Sequence, residues 1–376
     1  MAKKLKVGIL FGGRSGEHEI SLLSATSILR SIDRKRYDVV PIGISKQGKW
    51  LLGEQGQALL EGKSGAAQLA DGKKSAASKG KESALMAGAE VAQGAGPLSG
   101  GLDLVFPVLH GTFGEDGTIQ GLLEMADVAY VGSGVLGSAA GMDKDVMKRL
   151  FDASKLPQTP FVSMTRAEWK ADPKACRKKI EKELAYPIFV KPANLGSSVG
   201  ISKVHDRSKL AAAMDLAAGY DRKLVIEQGV GGPGVKPREL EVAVLGNDNP
   251  EASVVGEIVP GAEFYDYDAK YFSNTSVPII PAKLSKAEVK QIQKMAIEAF
   301  KACGCSGLAR VDFLMEPKGK KRIYLNEINT MPGFTNISMY PKLWEASGLP
   351  YAKLIDKLID LALERWKERQ HTSFSK

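Results

Sequence analysis

The sequence predicts a mixed α/β (α+β) chain: a parallel N-terminal sheet, a small central domain and an antiparallel C-terminal sheet. Three observations predict it. The first 50 residues alternate strand, helix and strand, and such βαβ beginnings feed parallel sheets. From residue 238 on, strand follows strand with helices only at the flanks, which reads as mostly antiparallel. The length of 376 residues exceeds what one ordinary core holds, so two or three domains are expected. The expected limits are 1–132, 133–235 and 236–376.

The elements follow in order. "KVGILF" is a buried strand, "GEHEISLLSATSILRSI" a helix and "DVVPIGIS" a second strand. Residues 54 to 101 break the pattern. They are rich in Gly, Ala, Ser and Lys and nearly free of aromatics, so a mobile, partly disordered insertion is expected there. "LDLVFPVLHG", the helix "TIQGLLEMA" and the strand "VAYVGS" resume the alternation. A helix, "DKDVMKRLFDAS", ends before Pro157. "YPIFVKPANLGSSVGISKV" reads as strand, glycine turn, strand, and "KLVIEQGV" as another strand. "RELEVAVLG", "ASVVGEIVP", "SGLARVDFLME" and "RIYLNEIN" are the C-terminal strands, with helices near 285–303 and 350–368.

Composition excludes several classes. The chain is 44% hydrophobic and 25% charged, as soluble globular proteins are, and no apolar run reaches membrane-spanning length. "VGIL" after the basic N-terminus is too short for a signal-peptide core. Cys176, Cys303 and Cys305 suit a reduced cytoplasm and make a poor zinc site. The net charge is +9, but the lysines are scattered and no aromatic-basic platform accompanies them, so no nucleic-acid partner is expected. An anionic small molecule suits the charge as well.

Three misleading motifs need sorting. "FGGRSGEHE" follows a strand, yet Phe11 stands where a dinucleotide fingerprint needs glycine. His18-Glu19 opens a zinc-protease pattern that Leu22 breaks. "GSSVG" (196–200) matches a nucleophile elbow, but a strand follows it where the elbow needs a helix. It reads instead as a hairpin tip, either a plain turn or a phosphate cradle of successive N–H groups.

The segment "LARVDFLMEPKGKKRIYLNEINTMPG" carries the densest chemistry. Arg310 and Asp312 are two apart, as are Glu327 and Asn329, and in strands such pairs share a face. Asp312, Glu327 and Asn329 offer hard oxygen ligands suited to Mg²⁺ beside substrate phosphates. Arg310 could clamp phosphate or oxyanion charge. The plain alternative is a salt-bridge ladder on a sheet face. Lys191 ends "PIFVK" and Lys144 begins a helix. Either alone reads as a surface lysine, but with a cradle and a magnesium set they read as nucleotide binding. Glu227 ends "LVIE", where strand backbone could read adenine, and Glu239 could accept ribose hydroxyls. The plain alternative for each is an exposed glutamate, and Glu239 is the weaker candidate of the two.

The set resembles the ATP-grasp enzymes, which clamp ATP between two antiparallel sheets. Over the whole chain it is similar to the D-alanine–D-alanine ligases. "GGRSGEHEIS", "HGTFGEDGTIQG", "GMDK", "VKPANLGSSVG", "EFYDYDAKY", "RVDF" and "NEINTMPG…SMYP" occur in that family's order. The resemblance implies an ATP-grasp fold behind a Rossmann-like N-terminal domain. It implies that ATP and two D-alanines give D-alanyl-D-alanine, ADP and phosphate through an acyl phosphate, for peptidoglycan precursors. Asp312, Glu327 and Asn329 would hold two Mg²⁺ (or Mn²⁺), with Glu327 bridging. Lys144, Lys191 and Lys270 would contact phosphates, with Gly196, Ser197, Ser198, Glu227 and Glu239 completing the nucleotide site. Glu17 would bind the first D-alanine's ammonium and hydrogen-bond with Ser197 and Tyr271. Arg310 and the N–H of Gly333 would stabilise the oxyanion, Ser338 and Met339 would hold the second D-alanine, and His110 would lie near the first. Residues 260–280, polar and aromatic, would form a lid that keeps water from the acyl phosphate. A cytoplasmic homodimer without membrane partners is implied. The rivals are a D-alanine–D-lactate ligase, another ATP-grasp ligase and a non-catalytic nucleotide-binding relative.

Overall fold

The computed structural model describes residues 3–62, 101–259, 277–335 and 337–373. Strands β1 (Leu5–Gly12), β2 (Tyr37–Ile44), β3 (Trp50–Leu52), β4 (Leu104–Pro107) and β5 (Ala129–Tyr130) form the first sheet, in the order β3-β2-β1-β4-β5. It is parallel except at the β2/β3 edge. β1 lies between two parallel neighbours, and an unbroken apolar strand suits that place because helices cover both faces of such a sheet. Helix α1 (His18–Ser31) follows β1.

The segment expected to be mobile and partly disordered from residue 54 begins with a helix. Helix α2 (Glu54–Leu60) buries Gly56 and Leu59. The physical reason is contact: a Cβ on Gly56 would sit 2.9 Å from the Pro41 carbonyl oxygen, so this turn lies directly on the sheet. Local composition does not reveal such a contact. Residues 63–100 lie outside the described part. Helices α3 (Thr118–Met125), α4 (Val135–Met142) and α5 (Lys144–Ala153) lead out of the first sheet.

Strands β6 (Phe161–Thr165), β7 (Ile188–Pro192), β8 (Ser202–Val204) and β9 (Lys223–Gln228) form an antiparallel sheet in the order β6-β9-β7-β8. Helices α6 (Arg166–Ala171), α7 (Pro173–Glu183) and α8 (Arg207–Tyr220) cover it. Its core, which includes Trp169, Ile180, Ile188, Leu210 and Leu224, is a separate cluster. Strands β10 (Arg238–Gly246), β11 (Glu251–Val259), β12 (Val277–Ile279), β13 (Gly307–Met315) and β14 (Ile323–Asn329) form a second antiparallel sheet, ordered β12-β11-β10-β13-β14. Helix α9 (Lys286–Ala302), α10 (Met339–Ala346) and α11 (Tyr351–Arg369) accompany it.

One core joins the first and last sheets. Val7, Ile9 and Phe106 pack in the same cluster as Ala243, Phe334, Leu343 and Leu358. Met147 and Phe151 of α5 pack with the C-terminal strands, not with the central sheet. Cys303 and Cys305 are buried free thiols in that core, and burial pushes the Cys305 thiol up to about 12. Among the described residues no helix is long and apolar enough to cross a membrane.

Candidate active site

The "GSSVG" motif connects β7 to β8, which pair as an antiparallel hairpin from Ile188↔Val204 to Val190↔Ser202. A strand follows the motif, so it is not a nucleophile elbow. Ser197 and Ser198 have φ of 51° and 60°, a left-handed conformation that side chains adopt at local cost. The hydroxyl of Ser197 donates a short hydrogen bond to Glu17 Oε1. Glu17 precedes α1 and is buried. Two glycines make its room. A Cβ would come within 2.6 Å of Glu17 Oε2 at Gly111 and within 3.0 Å at Gly196. Glu17 thus meets the central hairpin and the loop after β4 in one place.

Helix α5 carries two lysines on one face. Asp143 caps it by accepting from the N–H groups of Asp145 and Val146. Lys144 Nζ donates to the Leu195 carbonyl at 2.8 Å, at the base of the hairpin loop. One turn on, Lys148 is fully buried, with its Nζ 3.3 Å from Glu227 Oε2. Lys191 Nζ lies 3.0 Å from Glu227 Oε1. Glu227 is therefore held between two lysines and is not an exposed carboxylate. Burial pushes its carboxyl up, but Lys148 and Lys191 outweigh burial, and its pKa falls below the ordinary value. Burial also pushes Lys148 below the ordinary lysine value, against the pull of Glu227.

The C-terminal sheet brings the anionic residues together. Register sets Arg310 opposite Asn329 and Asp312 opposite Glu327. The alternation read from the sequence is therefore met. Arg310 grips both oxygens of Asp312, at 2.7 and 2.6 Å. Its Nε is also 3.2 Å from Glu241 Oε2 on β10. Burial works against the charged guanidinium, yet Asp312 and Glu241 hold its pKa well above the ordinary value. Asp312 keeps acceptor capacity beyond Arg310, because a carboxylate offers about four lone-pair sites. Asp312, Glu327 and Asn329 fit Mg²⁺, which takes one or two carboxylates beside substrate phosphates and water. Among the described residues no group of three or more histidine, cysteine or carboxylate side chains converges as a metal cage.

The loop after β14 completes the group. Asn329 Oδ1 accepts from the Met331 N–H at 2.9 Å. A Cβ on Gly333 would sit 2.9 Å from Ser338 Oγ, so a side chain there would displace Ser338. Ser338 Oγ accepts from the Thr335 N–H at 3.0 Å. The Met339 side chain packs in the apolar core, which leaves its backbone for any ligand contact. His110 is buried, with Nδ1 3.0 Å from the Met331 carbonyl, which only accepts, and Nε2 3.1 Å from Ser24 Oγ. Burial alone would lower the His110 pKa, but Glu115, 3.8 Å away, raises it overall. Glu239 shares its strand face with Glu241. Tyr271, Lys270 and most of the expected lid lie outside the described residues.

Sequence reasoning missed Lys148, Glu241, Glu115 and Ser24. Lys148 stands four residues after Lys144, so helical spacing placed it on the same face. Glu241 stands two after Glu239, so strand spacing did the same. Neither spacing tells which partner waits on that face.

The chain matches two family models: "D-ala D-ala ligase N-terminus" over residues 6–133 and "D-ala D-ala ligase C-terminus" over residues 150–360. It is 50% identical to a D-alanine–D-alanine ligase of Natranaerobius thermophilus over 99% of both chains. It is 50% identical to one of Acetivibrio thermocellus over 98% of both. These relatives are as long as this chain, so the 54–101 segment is not extra length with respect to them. Among solved structures, the D-alanine–D-alanine ligase of Coxiella burnetii is similar at a TM-score of 0.76 and 36% identity, over 98% of this chain and 97% of that one. A D-Ala:D-Ser ligase of Enterococcus faecalis is similar at 0.77 and 34%, over 96% and 100%.

Proposed function

The chain belongs to the D-alanine–D-alanine ligase family, and from that premise we propose how its residues join two D-alanines with ATP. The enzyme is an ATP-dependent, ADP-forming ligase whose dipeptide product serves cell-wall synthesis. A carboxylate is a poor electrophile, so the γ-phosphoryl group first passes to the carboxylate of one D-alanine. The amine of the second then attacks the acyl carbon, and phosphate leaves.

Glu17, oriented by Ser197, receives the ammonium of the first D-alanine. Lys144, Lys191 and Lys270 neutralise the phosphates, with the amides of the Gly196–Ser198 loop around them. Glu227 and Glu239 hold the nucleoside. Asp312, Glu327 and Asn329 would hold Mg²⁺, two ions in this reading, and the bound metal would supply charge that offsets repulsion between the reacting anions. Arg310 and the N–H of Gly333 stabilise the tetrahedral oxyanion, and preorganised donors of this kind are worth roughly 10²–10³-fold each. Ser338 and the Met339 backbone receive the second D-alanine's carboxylate. His110 orders the first-substrate side of the site through Ser24 and the Met331 carbonyl. Tyr271 and the 260–280 segment close over the acyl phosphate and exclude water. The reading includes a homodimer in the cytoplasm, where ATP is available.

The hydrogen bond from Ser197 to Glu17 carries this reading, because it brings the N-terminal domain's anionic residue to the hairpin beside the lysines. The test is phosphate release from ATP and Mg²⁺. Release with D-alanine alone, none with L-alanine and no added ester with D-lactate supports it. Equal release with L-alanine, or mainly ester formation at neutral pH, contradicts it.

A further inference from the structure

We propose that Lys148 is a positioning residue: it keeps Glu227 paired so that Lys191 can leave Glu227 for a nucleotide phosphate. The proposal rests on the reading of Lys191 and Glu227 as nucleotide-site residues.

The division of Glu227 is the first observation. Its Oε1 faces Lys191 at 3.0 Å and its Oε2 faces Lys148 at 3.3 Å. Thr159 Oγ1 adds a long contact to Oε2 at 3.4 Å. The two lysines therefore hold separate oxygens and do not compete for one.

The second observation is their unequal burial. The Lys148 side chain is 0% exposed, and that of Lys191 is 11% exposed. Lys148 is enclosed by the Phe161 ring, 5.4 Å from its Nζ, and by Gln158. It cannot reach a ligand from there. Lys191 lies on β7, which leads into the serine loop, and it is the member of the triad that can turn outward.

The energetics follow. A carboxylate this buried is destabilising once it has no counter-charge. If Lys191 were its only cation, moving Lys191 to a phosphate would strand Glu227, and the loss would be subtracted from nucleotide affinity. With Lys148 fixed on the other oxygen, Glu227 stays compensated and Lys191 can exchange. The positive field of Lys148 is itself tempered by Glu227 and Glu327.

The test is calorimetric binding of ADP with Mg²⁺, and of adenosine, to Lys148→Met, Glu227→Gln and the double variant. Lys148→Met is expected to weaken ADP at least about tenfold and adenosine less than about threefold, because adenosine has no phosphate for Lys191 to reach. Within the Glu227→Gln background the same change is expected to cost less than about threefold, since no carboxylate then needs holding. Lys148→Arg retains the charge and is expected to stay within about threefold of wild type. If Lys148→Met does not fold, Lys148→Gln replaces it in both backgrounds with the same expected and overturning results. Equal losses for ADP and adenosine, or a loss in the Glu227→Gln background as large as in wild type, overturn the proposal. Wild-type protein that fails to bind ADP contradicts the nucleotide reading itself.

Discussion

Two buried ion clusters line this molecule's candidate site, and their stoichiometries are inverted. On the central sheet, two lysines share the single carboxylate of Glu227. On the C-terminal sheet, two carboxylates, Glu241 and Asp312, share the single guanidinium of Arg310, with Glu327 in register opposite Asp312. Counted over these ion pairs of described residues alone, the central cluster keeps a remainder of one cation and the C-terminal cluster a remainder of one carboxylate. The central remainder is positive and suits phosphate. The C-terminal remainder is negative and suits a divalent cation. Low local dielectric makes such remainders count for more than the same charges would in water. The comparison teaches that a salt bridge at this site does not rule out function. What matters is the charge left over.

The largest effect should come from the negative cluster. Glu327→Gln removes the carboxylate proposed as a metal ligand while keeping shape, and turnover is expected to fall at least about 10³-fold with circular dichroism unchanged. Near-normal activity at saturating Mg²⁺ breaks the metal side of the comparison. Next, Arg310→Lys keeps the charge but loses the two-pronged grip on Asp312. A fall in kcat of roughly 10²–10³-fold is expected, the range for a lost oxyanion donor. A change confined to KM would reassign Arg310 to ground-state binding.

The positive cluster can be tested through pH. Lys148 and Lys191 hold the folded pKa of Glu227 below the ordinary glutamate value. The unfolded state therefore binds more protons in that range. Its contribution to stability is fully present above the unfolded value and is lost as pH falls through the folded value. The gap in unfolding free energy between wild type and Glu227→Gln is expected to narrow as pH falls through and below the ordinary carboxylate range. A constant gap would mean that Glu227 is not held ionised by Lys148 and Lys191.

The smallest effect should come from outside both clusters. Replacing residues 64–98 with a short Gly/Ser linker is expected to leave kcat within about threefold, because that composition cannot bury a core. Loss of folding by circular dichroism would show that the segment packs on the enzyme. The replacement leaves out α2, whose Leu59 is buried.

The sequence made these two clusters unequally legible. Arg310, Asp312, Glu327 and Asn329 were readable because a period of two assigns a face without knowledge of the partner strand. Lys148 was not, because a lysine within a helix defaults to solvent, and only the fold brings Glu227 to it. The same holds for α2, which contact with the sheet stabilises. Helix α7 was missed for a different reason. Its sequence "PKACRKKIEKE" buries only Ile180, so it lacks the apolar stripe that marks a helix. Its start is legible afterwards, with Asp172 accepting from the N–H groups of Lys174 and Ala175 and Pro173 in the first turn.

The most direct measurement of the central claim is ADP affinity with and without Mg²⁺ in wild type, Lys191→Met and Glu327→Gln. The inverted clusters predict that Lys191→Met weakens ADP under both conditions and leaves the Mg²⁺ enhancement intact. They predict that Glu327→Gln leaves metal-free affinity unchanged or higher and removes most of the enhancement. Full Mg²⁺ enhancement in Glu327→Gln, or an enhancement lost in Lys191→Met, would contradict the division of the site into an anion-binding wall and a cation-binding wall.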